Sequence, residues 1–251
     1  MLNYIKAELW KLSQRPALFV LGGVLFLLMA LYASMMSAGE FYNLAAAGGI
    51  TSGAGLLFVP LLVLLVDDGT LDTLKNETAF GMSRTRIYLG KLAAVLLAGL
   101  GLCAVLLAFY LGGGWVLLDH SRPDQEKINL AVLGFSLLGA VPIWCGTAGF
   151  CHMAALAVRS TSVWLSGYYI FFFFGQPVLL VFSAALLGGE PSAWIADAAA
   201  VILMPFLLLT PDFLSGWLTW EYQLWCWAVG LGWLAVGSGA GLFLLWRKNI
   251  R

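Results

Sequence analysis

Between Arg15 and Glu40 the chain runs for 24 residues without an acidic or basic side chain. Uncharged runs of 26 residues before Asp67 and 27 residues after Lys91 repeat the pattern. About 20 apolar residues wound as a helix cross roughly 30 Å of hydrocarbon, and the helix bonds its own backbone groups on the way. The whole composition agrees: 61% of residues are hydrophobic, 10% are charged and the mean hydropathy is +0.91. A soluble domain carries about 25% charged residues. The solvent for most of this chain is therefore lipid.

Six segments qualify as spans: Ala17–Met36, Ile50–Val66, Leu92–Leu118, Leu130–Val158, Val163–Leu187 and Tyr222–Trp246. A seventh, Ala193–Leu209, is interrupted by Asp197 and Pro205, which fits a re-entrant or interfacial segment better than a crossing. The first span is too long for a signal-peptide core and is expected to stay in the membrane. With the N-terminus inside and six crossings, the inner side holds Lys6, Lys11, Arg15, Lys75, Arg84, Arg86, Lys91, Arg159, Arg247, Lys248 and Arg251. The outer side then holds only Arg122 and Lys127. That bias obeys the positive-inside rule and places both termini in the cytoplasm. Glu40, Asp119, Asp124, Glu126, Glu190, Asp197, Asp212 and Glu221 fall outside, so the outer side is net negative.

The expectation is thus an all-α integral membrane protein with six transmembrane helices, one transmembrane domain over residues 1–251. Residues 1–15 form an interfacial amphipathic helix, with Leu2, Ile5, Leu9 and Leu12 on one face and Lys6 and Lys11 near lipid phosphates. Residues 188–221 form an outer re-entrant region. Trp217, Trp220, Tyr222, Trp225 and Trp227 read as an interfacial aromatic belt. Gly146 and Gly149 in the fourth span, and Gly237, Gly239 and Gly241 in the last, predict close helix packing, within the chain or between chains. Pro177 predicts a bend in the fifth span, eased by Gly175, where Gln176 and Phe173 are candidates for lining a substrate path.

Several chemistries are excluded. The formal net charge is zero, which leaves no electrostatic footprint for nucleic acid. Gly90-Lys91 is followed by Leu92, so no Walker A loop exists, and HExxH is missing. Cys103, Cys145, Cys151 and Cys226 lie in apolar runs without a CxxC pair and read as small buried hydrophobes. Gly134-Phe135-Ser136 and His152 resemble an intramembrane serine protease only superficially. Sixteen residues on one helix place Ser136 and His152 about 24 Å apart.

The charge that the spans lack gathers in DDGTLDTLKNETAFGMSRTRIYLGK, residues 67–91, with eight of the chain's 26 Asp, Glu, Lys and Arg residues. Leu71, Leu74, Thr78 and Phe80 predict a short amphipathic helix stopped by Gly81. Ser83 is placed to cap a second helix running through Arg84, Arg86, Tyr88 and Lys91 into the third span.

These residues carry a resemblance. Asp67-Asp68, Gly69-Thr70-Leu71, Leu74-Lys75-Asn76-Glu77, Gly81-Met82-Ser83-Arg84, Tyr88 and Lys91 look like the coupling loop of ABC-2 type permeases, the type V exporter fold. Asp72-Thr73 separates two elements that many relatives run together. The amphipathic N-terminal helix, the six spans and the outer segment before the last span have counterparts in that family. The resemblance implies a permease subunit in a bacterial plasma membrane, paired with a second permease subunit and driven by a cytosolic ATP-binding subunit. ATP and magnesium would bind that partner, and this chain would hold no cofactor. The resemblance also implies ATPase coupling through Asp68, Lys75, Glu77, Phe80, Arg84 and Lys91. Its small size is similar to that of permeases which expel lantibiotics or bacitracin-like amphiphiles. A stand-alone secondary transporter and a non-transporting sensor or scaffold are the alternative readings.

Overall fold

The computed structural model describes residues 1–67, 77–79, 81–158, 160–187 and 219–247. The expected coupling helix around Leu71 and Leu74, and the segment Ala193–Leu209, lie outside these residues. Seven long helices are described: α1 (Leu2–Ser13), α2 (Pro16–Met36), α3 (Phe41–Asp67), α4 (Arg84–Leu117), α5 (Pro123–Ala157), α6 (Thr161–Leu187) and α7 (Trp220–Arg247). Among the described residues there is no strand, only one bridge between Glu40 and Asp119.

The chain is a helical, multi-pass membrane protein. Helices α2, α4, α5 and α7 are long and apolar enough to cross a bilayer. Helix α3 makes a fifth if its halves, Phe41–Gly49 and Gly53–Asp67, count as one span bent by 60°. Helix α6 is 27 residues long and contains no charged residue.

Local sequence explains the helix boundaries. Pro16 and Pro123 open α2 and α5, where a missing N–H costs nothing. The Ser83 side chain accepts from the Arg86 N–H and caps α4, as its position predicts. Residues 77–79 form a helical turn that ends at Gly81, whose φ of +82° suits glycine. Gly81 and Met82 donate back to the carbonyls of Thr78 and Glu77.

The α3 bend replaces the simple span expected from Ile50. The α3 helix begins at Phe41, and two tyrosines hold carbonyls in its first half: Tyr32 donates to Ala47 and Tyr110 to Leu44. Farther along, Pro60 has no N–H to offer the Leu56 carbonyl one turn back. The Tyr168 hydroxyl on α6 takes that place at 2.8 Å, and Tyr169 donates to Leu57 at 2.8 Å. The proline and the tyrosine pair thus fix α6 against α3.

The tightest seam joins α5 and α7. A Cβ on Gly230 would lie 2.3 Å from the backbone carbonyl of Pro142, and one on Gly237 would lie 2.9 Å from that of Gly149. Gly146 meets the Gly230 carbonyl in the same way. Small residues thus let these helices touch backbone to backbone. Gly239 meets nothing of this chain within 4 Å among the described residues.

The helices alternate in direction, so the fold has two ends. The far end joins the residues before α3 to those before α5. Phe41 donates to the Asp119 carbonyl, Asp119 donates to the Gly39 carbonyl, and the Ser121 hydroxyl donates to Glu40 at 2.6 Å. Glu126 is buried and bonded to His120 at 3.0 Å. The opposite end carries α1 and the segment that leads into α4.

Candidate functional site

Helix α1 does not lie free on a surface. It packs against the start of α4, where Gly90 makes room for the Tyr4 ring: a Cβ there would fall 2.3 Å from Tyr4 Cδ1. Leu12 is buried as its apolar spacing predicts, but Leu2 is 67% exposed, and Glu8 is buried beside Leu12. The reason is electrostatic. Lys91, only 1% exposed, reaches Glu8 at 3.4 Å, and Lys11 approaches the other carboxylate oxygen at 3.9 Å. A buried cation needs such a partner.

Tyr4 links the same helix to the charged loop, its hydroxyl donating to Glu77 Oε2 at 3.1 Å. Burial, then the neighbouring Glu8 and Glu77 carboxylates, push the Tyr4 hydroxyl well above its ordinary pKa, so it remains a donor. At the end of α1, Arg15 donates to the Leu65 carbonyl near the α3 C-terminus.

Arg84 faces the other way. Its guanidinium donates to the carbonyls of Leu245 and Trp246, each at 3.0 Å. These are among the last described carbonyls of α7, where a cation suits the helix dipole. Of the sequence-predicted coupling residues, Glu77, Arg84 and Lys91 therefore bind the fold itself and join α1, α4 and α7. Asp68, Lys75 and Phe80 lie outside the described residues. Phe173 is 57% exposed on α6, away from the core, and the Gln176 side chain lies outside the described residues.

Beneath this rim is a polar cluster that sequence reading missed. Asp67, at the end of α3, bonds His152 Nδ1 on α5 at 2.5 Å, and both side chains are almost fully buried. The carboxylate accepts, so Nδ1 carries the proton. A carboxylate is poorly placed at a helix C-terminus, and His152 compensates. Among the described residues, Asp67 Oδ1 and His152 Nε2 are buried without a partner. The Tyr88 ring lies against the imidazole, with centroids 4.5 Å apart, and its hydroxyl donates to the Gly237 carbonyl at 3.3 Å. Gly241 leaves the space Tyr88 occupies. The cluster thus ties α3, α4, α5 and α7 together at one level. Ser136, by contrast, bonds back to the Leu133 carbonyl at 2.9 Å and has no part in it.

The isolated His152 and the acid in the loop motif were each visible in the sequence. Their meeting was not, because 85 residues separate them. The sequence matches no protein-family model and no curated protein.

Proposed function

We propose that this chain is the membrane-spanning permease subunit of an ABC transporter, expelling an amphiphile such as an antimicrobial peptide, and that a separate cytosolic ATPase drives it. The reading takes six crossings with both termini in the cytoplasm of a bacterial plasma membrane, and a second permease subunit beside the first. It rests on the resemblance of residues 67–91. The observation that supports it best is the wiring of that segment. Tyr4–Glu77 joins the turn at 77–79 to α1, and Glu8–Lys91 and Arg84 on the α7 carbonyls join the start of α4 to α1 and α7. A push on such a loop reaches several spans at once, as coupling to an ATPase demands. On this reading Glu77, Arg84 and Lys91 transmit motion, while Asp68, Lys75 and Phe80 are left to meet the ATPase. Purification of tagged chain from native membranes in mild detergent tests the reading. A P-loop ATPase should accompany wild type and be loosened by Phe80→Ala; a chain that elutes alone refutes it.

One observation favours a second reading. A stand-alone secondary transporter needs ionisable groups inside the bundle, and the buried Asp67–His152 pair is such a group. In sealed vesicles without ATP, substrate movement driven by a proton gradient and abolished by Asp67→Asn would favour it.

A further inference from the structure

Helix α2 stands partly away from the bundle, and of its 21 residues only Leu25 is buried. It meets α4 where Gly22 faces Leu102, and where the Phe26 and Phe109 rings stand edge to face with centroids 5.6 Å apart. It meets α3 through the Tyr32 hydroxyl on the Ala47 carbonyl. Between these contacts is a half-open cavity of about 400 Å³, lined by α2, α3, α4 and α5. It follows α2 from Leu21 to Tyr32, a length of roughly 16 Å at the helical rise. Trp144 of α5 lies at its inner wall, its ring packed so closely on Gly55 that a Cβ there would come within 2.7 Å.

The chemistry of the lining selects the occupant. It contains no charged side chain, and its one phenol, Tyr32, is already bonded to Ala47. Water would find almost no partners. An empty space would forfeit dispersion contacts along all four helices. Hydrocarbon fits in size, shape and polarity, and the bilayer around α2 supplies it.

We propose that this cavity is a lipid site: one acyl chain of a bilayer phospholipid enters past α2 and lies along α4 and α5, its headgroup remaining at the interface. The site wedges α2 from the bundle and stands independently of the permease reading. Cys103 and Cys145, both free thiols, face it and make convenient reporters.

The test uses the full chain in phospholipid vesicles doped with a phosphatidylglycerol bearing a diazirine within one acyl chain. After illumination, adducts are mapped by tandem mass spectrometry. Adducts should appear on Cys103, Leu106 or Cys145, saturate with probe and be competed by unlabelled phosphatidylglycerol. Cys103→Phe and Cys145→Phe, which fill the space, should lower cavity adducts about tenfold or more, the effect of removing roughly two buried methylenes of contact. Adducts on the exposed α6 residues Ile170 and Phe174 should persist and report an intact fold. Wild-type adducts confined to exposed faces, or cavity adducts that neither competition nor filling lowers, would overturn the proposal.

Discussion

The Glu8–Lys91 pair holds α1 to α4, and its energetics follow from its burial. Lys91 is 1% exposed, and Glu8 is the carboxylate that pairs with it among the described residues. Glu8→Gln would leave a buried ammonium without a counter-charge, which costs about 3–5 kcal/mol. Lys91→Met should cost less, roughly 1–3 kcal/mol, because Lys11 remains 3.9 Å from Glu8 and is 46% exposed. The double variant replaces a buried ion pair with uncharged groups and should be far less damaged than the sum of the two, with a coupling of at least about 2 kcal/mol. Reversible unfolding in mixed micelles with increasing SDS gives the three free energies. Amide exchange over residues 2–13 shows whether α1 detaches first. Additive effects, or exchange in α1 unchanged by Glu8→Gln, would refute the pairing as the tie between these helices.

Other outcomes follow from the packing. Gly230→Ala should destabilise by roughly 1–3 kcal/mol, because its Cβ meets the Pro142 backbone, while Gly232→Ala, open on all sides, should be neutral or slightly stabilising in the same assay. Tyr168→Phe should cost about 1–3 kcal/mol by orphaning the Leu56 carbonyl. In a Pro60→Leu background, where residue 60 regains its N–H, that loss should shrink, and an unchanged loss would contradict the role given to Pro60. At the far end, the bonds from His120 to Glu126 first and to the Trp115 carbonyl raise the His120 pKa. A raised pKa means stabilisation that is complete below the unfolded value of about 6.5 and lost as pH rises through the folded one. Amide exchange at residues 118–122 should therefore quicken as pH passes above that range beyond the intrinsic rate, and His120→Gln should remove the dependence.

Much of the architecture was legible because lipid simplifies the code. Runs of uncharged residues marked the helices, Gly81 and Ser83 marked the turn into α4, and Gly146, Gly149 and Gly237 marked the α5–α7 seam. The failures share one cause. Lys91 read as a coupling residue without its buried partner Glu8, and Asp67 in the loop motif and His152 in the fourth span were not read as a pair. Each depends on what another helix presents across the bundle, and periodicity along one helix does not carry that information. The α3 bend was hidden for the same reason, since its carbonyls are served by Tyr32 and Tyr110 from other elements.

The central claim is that the segment between α3 and α4 receives the push of an ATPase and passes it to the bundle. Ala79 is exposed on the helical turn of that segment. A photo-crosslinking amino acid placed there and activated in native membranes tests the claim directly. The account predicts an adduct with an ATP-binding subunit whose yield changes between ATP-free and vanadate-trapped membranes. Recovery of the chain without such an adduct, in both conditions, would contradict it.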